Sequence, residues 1–325
     1  MSDGSPAAMT ALCLTDDGPL VRSDHPRPRP AAGEALIRVT RAGICSTDLE
    51  LIKGYAGFRG ILGHELVGIV EDAEDDAWIG RRVVGTINLA CRRCRTCLGT
   101  GPEHCPHRTV LGIIGRDGVF AEATALPLAN LQLVPDAVPD EVAVFTEPLA
   151  AALRIREQLA VAPTAAVAVV GPGRLGLLIA QVLALAGTHV TVLGRRAESL
   201  ALPAALGFDT GLAEDAGDDA YDIVVEATGN DAGLAHSLRL VRPLGTLVMK
   251  STFHGKACID LTKLVVGEIT VVGSRCGPFA PALRLLEQGA VDVRALIDGE
   301  YPLAAGQAAL EHASRPGARK ILLRP

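Results

Sequence analysis

The sequence is poor in aromatic residues and carries no excess of basic charge. Phe, Trp and Tyr make up 3% of the 325 residues, so the core must be built mainly from aliphatic side chains. The 31 lysines and arginines are outnumbered by 37 aspartates and glutamates, which gives a net charge of -6. Because nucleic-acid binding requires a basic face, the composition argues against a nucleic-acid partner.

Long hydrophobic runs are also missing. The most apolar stretch, 175–186, is interrupted by Gln181 and is too short to cross a bilayer. The first eight residues lack the basic and apolar segments of a signal sequence. We therefore expect a cytoplasmic protein without a membrane partner. In the cytoplasm cysteines are reduced, so the eight cysteines are expected to be core residues or metal ligands and not to form disulfides.

The two halves of the chain differ in their secondary-structure pattern, and a chain of this length favours two domains. Short β segments separated by Gly and Pro in the first half predict a mainly antiparallel β-domain. Alternating strands and helices after Ala165 predict an α/β domain with a doubly wound parallel sheet. The apolar run 265–272 is interpreted as its last strand, an edge that invites pairing with a second subunit.

Four of the eight cysteines lie within fifteen residues, at Cys91, Cys94, Cys97 and Cys105. The spacing C-x2-C-x2-C-x7-C lets four thiolates bind one tetrahedral metal ion. Four protein ligands would leave no open coordination position, so the site would be structural. Zinc is the favoured metal, and an iron–sulfur cluster is the competing interpretation.

A second concentration of polar chemistry runs from Gly43 to Glu65. Cys45 and His64 are ligand types that zinc prefers, although single cysteines and histidines are more often core or loop residues. Farther along the chain, Pro148 fits the first position of a helix and would put Glu147 at the N-cap. Taken alone, Glu147 is best explained as a capping carboxylate, with a metal ligand as the alternative.

The segment Gly171-Pro172-Gly173-Arg174-Leu175-Gly176 stands between a predicted strand at 165–170 and a predicted helix at 177–186. G-x-G-x-x-G in this context is typical of dinucleotide binding, because the glycines allow the tight turn and the approach of the pyrophosphate to the helix N-terminus. We predict that the cofactor-binding residues include Gly171, Gly173, Leu175, Gly176 and, in a later loop, Thr228.

The next strand, 189–193, ends in Gly194-Arg195-Arg196. An Asp or Glu is expected at this point when the cofactor is NAD, because a carboxylate binds the adenosine ribose diol. A glycine followed by two guanidinium groups suits a 2′-phosphate instead. We therefore predict that Arg195 and Arg196 favour NADP(H) over NAD(H); the competing interpretation is that both are solvated residues at a helix start.

The chain resembles the zinc-dependent medium-chain dehydrogenase/reductase family. The resemblance rests on five motifs and on their order along the chain: those around Cys45 and His64, the four cysteines, the segment at Glu147, and the glycine-rich turn. That family includes the alcohol and polyol dehydrogenases, and the resemblance covers 10–325. It implies a GroES-like catalytic domain formed by 1–148 and 291–325, and a Rossmann domain at 149–290.

The resemblance also implies two zinc ions per chain. Cys45, His64 and Glu147 would hold a catalytic zinc, with Glu65 as an alternate ligand, so the capping interpretation of Glu147 gives way to a ligand role. The four cysteines would hold a structural zinc. Thr47 would pass the substrate proton outwards, whereas Glu50 stands where many members have a histidine.

The implied function is hydride transfer between NADP(H) and a small-molecule alcohol or polyol, or its carbonyl counterpart, by a homo-oligomer (dimer or tetramer). The catalytic residues would be Cys45, Thr47, His64 and Glu65. One alternative is a non-catalytic NADP(H)-binding or sensing protein on the same fold, and another is a dehydrogenase that prefers NAD. The presence of every zinc ligand and of Thr47 favours an enzyme.

Overall fold

The computed structural model describes residues 7–252 and 257–325. Its strands, in chain order, are β1 (Ala8–Thr15), β2 (Gly18–Pro26), β3 (Glu34–Gly43), β4 (Gly60–Ile61), β5 (Glu65–Ala73), β6 (Arg82–Gly85), β7 (Asn88–Leu89), β8 (Thr109–Val110), β9 (Ala123–Pro127), β10 (Leu131–Leu133), β11 (Ala166–Val170), β12 (His189–Gly194), β13 (Asp209–Leu212), β14 (Tyr221–Glu226), β15 (Val241–Met249), β16 (Thr270–Gly273), β17 (Ile297–Pro302) and β18 (Lys320–Arg324).

Its α-helices are α1 (Ser46–Ile52), α2 (Arg95–Gly99), α3 (Asp140–Ala143), α4 (Thr146–Gln158), α5 (Arg174–Ala184), α6 (Ala201–Ala205), α7 (Asp231–Leu240), α8 (Leu261–Val266), α9 (Phe279–Glu287) and α10 (Gly306–Ser314). Short 3-10 helices lie at Tyr55–Gly57, Asp76–Trp78, Pro102–His104, Leu128–Asn130, Ala197–Leu200, Arg294–Leu296 and Leu303–Ala305. None of the described helices is long and apolar enough to span a membrane.

The chain divides into two compact units. The first runs up to Glu147 and takes in Phe279–Ala290 and Ile297–Pro325, and the second holds Pro148–Pro278 and Val291–Leu296. The sequence-based boundaries place 149–290 in the Rossmann domain and 291–325 in the catalytic domain, whereas the compact units place Phe279–Ala290 in the first and Val291–Leu296 in the second. The reason is packing: α9 lies against α3 in the first unit, whereas Asp292 exchanges backbone hydrogen bonds with the Gln181 side chain in the second.

The first unit is built mainly from antiparallel sheet, as predicted. Its largest sheet has the order β10-β6-β5-β3-β18-β17, with β9 also paired to β3. Every pair in it is antiparallel except β17 with β18. Ala35, Ile37 and Val39 alternate along β3 and are buried, which is the period-two pattern of a strand with one face in the core. β3 thus links the strands that carry the site.

The second unit holds a parallel six-stranded sheet with the order β13-β12-β11-β14-β15-β16. The chain winds outwards from β11 in both directions, so the strand order reverses between β11 and β14. A dinucleotide binds outside the carboxyl ends of the strands at such a reversal. The predicted Rossmann fold is therefore confirmed, with α5 beginning at Arg174, three residues before the predicted start.

The interpretation of 265–272 as one strand is wrong. Val265 and Val266 end α8, and the edge strand β16 begins only at Thr270. The Asp260 side chain caps α8 by accepting from the backbone N–H groups of Thr262 and Lys263. This cap outweighs the β-propensity of the two valines.

Candidate active site

His64 and Glu65 are positioned by the pairing of two antiparallel strands. Glu65 is the first residue of β5 and lies opposite Gly43, the last residue of β3. A Cβ atom on Gly43 would fall within 2.2 Å of Glu65 Oε2, so only glycine leaves room for this carboxylate. His64 and Glu65 are 3% and 0% exposed, which places an imidazole and a carboxyl group together inside the first unit.

Cys45 precedes α1 and is oriented by a carboxylate one turn along the helix. The backbone N–H of Cys45 donates to Asp48 Oδ2 at 2.8 Å, and Asp48 Oδ1 lies 3.2 Å from His64 Nδ1. Asp48 is fully buried. One carboxylate therefore fixes both predicted ligands, with Nδ1 of the imidazole turned towards Asp48.

The pKa of His64 reflects this arrangement. Burial alone would lower it, but the negative charge of Asp48, 3.2 Å away, and the neighbouring Cys45 raise the pKa of His64 well above its ordinary value. Asp48 therefore increases the basicity of the imidazole, which strengthens it as a metal ligand.

The structure brings three of the four residues predicted around the catalytic zinc into one group. Ligand atoms of Cys45, His64 and Glu65 all lie within 4.8 Å of one another. Glu147 does not belong to this group; it is half-buried in the first turn of α4. Because α4 begins at Thr146, Glu147 is also inside the helix rather than at its N-cap. A thiol, an imidazole and a carboxylate form a donor set that fits Zn²⁺.

Glu65 has a second role, which sequence reasoning missed. Its carboxylate accepts from Lys320 Nζ, with N–O distances of 2.7 and 2.5 Å, and both side chains are buried. The ammonium group also donates to the Ile44 carbonyl at 3.3 Å and lies 5.7 Å from the centre of the Phe145 ring. Lys320 thus neutralises the charge of Glu65 beside the predicted ligands.

The hydroxyl of Thr47 lies beside the same group, with Oγ1 at 3.8 Å from Cys45 Sγ. Thr47 is half-buried in the first turn of α1. Its proton-transfer role stays a prediction, which requires a hydroxyl because such a group can accept one proton and donate another.

The four clustered cysteines converge on one point. Neighbouring sulfur atoms are 3.4 to 3.9 Å apart, for the pairs Cys91–Cys97, Cys94–Cys97, Cys94–Cys105 and Cys91–Cys105. A tetrahedron with Zn–S bonds of about 2.3 Å places its sulfur atoms roughly 3.8 Å apart. These distances fit one metal ion and are too short for thiolates that surround a cluster of several irons.

The backbone of this loop prepares one thiol for metal binding. N–H groups of Arg93 and Cys94 lower the pKa of Cys91 to about 6. Burial and then the neighbouring thiols raise the pKa of Cys97 to about 12. Thiolates rather than thiols are metal ligands. A cation bound among the four sulfur atoms would therefore favour the deprotonated form of Cys97 and of its neighbours.

The glycine-rich turn of the second unit has the shape its sequence predicts. Gly171 has φ +110°, and a Cβ on it would meet the Ala227 carbonyl at 2.7 Å. A Cβ on Gly176 would meet the Gly171 carbonyl at 1.9 Å, whereas Gly173 faces open space. Leu175 is half-buried in the first turn of α5. Gly171 and Gly176 are therefore tightly packed, whereas Gly173 at the N-terminus of α5 is accessible, so that a phosphate can approach the helix there.

Thr228 is held in the loop after β14 by a buried carboxylate. Its backbone N–H and its hydroxyl both donate to Glu226 Oε1 at 2.6 Å. The Gly229 N–H donates to the same oxygen at 3.1 Å. Glu226 therefore shapes this loop, a role for which the sequence carried no local signal.

Two family models match the chain. Residues 31–136 match the family described as alcohol dehydrogenase GroES-like domain, and residues 175–288 match the family described as zinc-binding dehydrogenase. The chain belongs to the zinc-dependent medium-chain dehydrogenase family. This confirms the resemblance seen in the sequence, and the protein is an oxidoreductase of the alcohol dehydrogenase type.

Relatives of this dehydrogenase match it over almost their full length. L-galactonate-5-dehydrogenase of Escherichia coli is 30% identical over 92% of this chain and 93% of its own. Sorbitol dehydrogenase of Halalkalibacterium halodurans is 30% identical over 98% of this chain and 99% of its own. A zinc-binding dehydrogenase of Sinorhizobium meliloti, solved with NADP, is 28% identical and superposes with a TM-score of 0.89 over 98% of this chain and 100% of its own.

Proposed function

We propose that this dehydrogenase transfers a hydride between NADP(H) and a polyol or related alcohol, using one catalytic and one structural zinc ion per chain. In the oxidative direction the alcohol carbon gives its hydride to NADP⁺, and the hydroxyl proton is released, so that a carbonyl compound and NADPH are formed. The observation that carries the proposal is the group formed by the half-buried Cys45 with the buried His64 and Glu65. The names of relatives that act on sorbitol and L-galactonate support a polyhydroxylated substrate.

The residues present fit a catalytic zinc. Cys45 and His64 would hold it, with Glu65 or Glu147 as the further protein ligand that the family implies. When bound, zinc supplies a Lewis acid that polarises the substrate oxygen. Thr47 would relay the substrate's hydroxyl proton by accepting it and donating its own hydroxyl proton towards solvent. Asp48, 3.2 Å from Nδ1 of His64, would keep the imidazole in the tautomer that presents Nε2 as a ligand.

The end of β12 supports NADP(H) over NAD(H). Gly194 is buried, and a Cβ there would meet Ser199 Oγ at 2.8 Å and Pro172 Cγ at 3.2 Å, so a carboxylate side chain has no room at this point. Arg195 and Arg196 follow and are exposed. In the described part of the chain neither is in an ion pair, so both guanidinium groups remain available to a phosphate.

We expect Arg195→Ala combined with Arg196→Ala to lower the NADPH/NADH preference in kcat/KM by about 100-fold. Each charge-assisted hydrogen bond to a phosphate is worth about 1.5–3 kcal/mol, and NADH has no such phosphate to lose. Steady-state kinetics with both cofactors measure the ratio, and Arg284→Ala on the exposed side of α9 serves as the matched control. An unchanged ratio in the double variant would favour the NAD-preferring alternative.

The edge of the second unit supports a homo-oligomer. Val271 on the edge strand β16 is 40% exposed, and Val265 and Val266 of α8 are 75% and 79% exposed. An unpaired apolar edge is suited to a second copy of the same edge. None of the eight cysteines, all of which lie in the described ranges, is in a disulfide bond, which supports the cytoplasm as the proposed location.

A screen of NADP⁺ reduction over alcohols, polyols and sugar acids, with zinc added, tests the proposed activity and identifies the substrate. We expect turnover with at least one polyhydroxylated compound. Tight binding of NADP(H) without turnover on any compound would favour the alternative of a cofactor-sensing protein.

A further inference from the structure

One carboxylate oxygen organises the loop 227–229, which follows β14. Glu226 ends that strand and is 2% exposed. Its Oε1 accepts from three donors, which are the backbone N–H and the hydroxyl of Thr228, both at 2.6 Å, and the backbone N–H of Gly229 at 3.1 Å. Because a backbone N–H can only donate, this loop needs an acceptor at that point. The loop is therefore wrapped around a single buried oxygen atom.

The hydroxyl of Thr228 is also fixed from the side of α7. A Cβ atom on Gly233, in the first turn of that helix, would lie 1.8 Å from Thr228 Oγ1, so only glycine leaves room for the hydroxyl. The Asn230 side chain accepts from the Gly233 N–H at 3.0 Å and donates to the Thr228 carbonyl at 3.3 Å. Thr228 is thus held between a buried carboxylate and the start of a helix.

The loop 227–229 packs directly against the glycine-rich turn. The Ala227 N–H donates to the carbonyl of Val170, the last residue of β11, at 2.9 Å. A Cβ atom on Gly171 would meet the Ala227 carbonyl oxygen at 2.7 Å and Thr228 Cγ2 at 3.1 Å. A displacement of Thr228 would therefore free one side of the turn that is expected to receive the pyrophosphate.

We propose that Glu226 is a positioning residue for dinucleotide binding, which acts through Thr228 on the glycine-rich turn. A ligand binds only those molecules whose site already has the competent conformation, so its apparent dissociation constant rises as that fraction falls. The three hydrogen bonds to Glu226 Oε1 keep this fraction high in the ligand-free chain. The inference rests on the proposed function only in requiring a dinucleotide cofactor, and it applies equally to NADP and NAD.

The proposed role predicts a distinct pattern of binding. NADP(H), NAD(H) and ADP-ribose share the pyrophosphate, whereas they differ in the 2′-phosphate and in the nicotinamide. Loss of the Glu226 acceptor is therefore expected to weaken all of them by one factor and to leave the NADPH/NADH preference unchanged. A role in the fold alone would lower the melting temperature without changing the dissociation constants of the folded protein.

The test is calorimetric titration of the zinc-loaded full chain with ADP-ribose, NADPH and NADH, at a temperature at which each variant is folded. In Glu226→Leu we expect every dissociation constant to rise about tenfold, which corresponds to a competent fraction of about one tenth. Glu226→Gln keeps a carbonyl oxygen that can accept the three hydrogen bonds, and it is expected to stay within about threefold of the unmodified chain.

Gly233→Ala displaces the same hydroxyl from the side of α7, and it is expected to raise the three constants by a similar factor. Alanine is a better helix former than glycine, so α7 itself is not weakened. This variant gives the comparison should Glu226→Leu fail to fold.

Amide hydrogen exchange of the ligand-free chain, followed by mass spectrometry, shows whether the effect reaches the glycine-rich turn. Peptides that cover 171–176 are expected to exchange faster in Glu226→Leu than in Glu226→Gln, because the turn opens more often. Weaker binding without faster exchange in these peptides would overturn the inference, since Glu226 would then act by another route.

Unchanged dissociation constants in Glu226→Leu and Gly233→Ala would also overturn the inference and leave the proposed function intact. If the unmodified chain bound none of the three ligands, the proposed function would fail, and the inference with it.

Discussion

Cys45→Ala is expected to contain one zinc ion per chain instead of two and to lose turnover by at least about 1,000-fold. The thiolate is one of the three clustered ligands, and the remaining imidazole and carboxylate bind zinc too weakly to hold it in an ordered position. The cysteines of the structural site are separate from this group, so their zinc remains. Metal content by mass spectrometry and the rate of NADP⁺ reduction are measured on the same preparation.

The matched control for this variant is Cys13→Ala, since Cys13 is a buried cysteine of β1 outside both groups of candidate ligands. It is expected to keep both zinc ions. Two zinc ions in Cys45→Ala, or full turnover with one, would contradict the assignment of Cys45 as a ligand of the catalytic metal.

Lys320→Met is expected to lower the free energy of unfolding by about 3–5 kcal/mol in zinc-free protein. The substitution leaves the Glu65 carboxylate at 0% exposure without its ammonium partner, and removing one member of a buried ion pair costs about this much. Urea denaturation followed by circular dichroism measures the change.

The double variant Lys320→Met with Glu65→Gln removes both charges and is expected to recover at least about half of the loss, because no unpaired buried charge remains. Lys320→Arg keeps the charge and serves as the control. Additive losses in the double variant would show that the two residues stabilise the first unit independently of each other.

Local motifs made much of the candidate site predictable. Cys45 and Asp48 are three residues apart at the start of one helix, His64 and Glu65 are adjacent, and the four clustered cysteines span fifteen residues. Four cysteines at such short spacings predict one metal group before any tertiary contact is known, whereas Cys45 and His64 were assigned to a metal only through the resemblance of the whole series of motifs to the dehydrogenase family. The glycine-rich turn was predictable for the same reason, because its function depends on six consecutive residues.

Contacts between distant residues were not predictable from the sequence. Lys320 is separated from Glu65 by 255 residues, and in the sequence it begins an ordinary apolar strand. Nothing local distinguishes it from a surface lysine; only the antiparallel pairing of β18 with β3 brings it beneath Gly43. The burial of Glu226, which is 2% exposed at the end of β14, likewise depends on which strands become neighbours.

The valines of 265–272 show how one polar residue changes the outcome. The apolar character of the run favoured a strand, but the Asp260 cap starts a helix and Gly267 ends it. A prediction based on side-chain type alone gives no weight to the hydrogen bonds of a helix end.

Zinc-dependent hydride transfer is tested most directly by the rate of NADP⁺ reduction with the substrate found in the screen, measured before zinc removal, after removal by a chelator and after zinc is added back. The account predicts that turnover disappears in the zinc-free chain and returns with added zinc, while NADP⁺ still binds in all three samples. Turnover that persists at the same rate in zinc-free protein would contradict it.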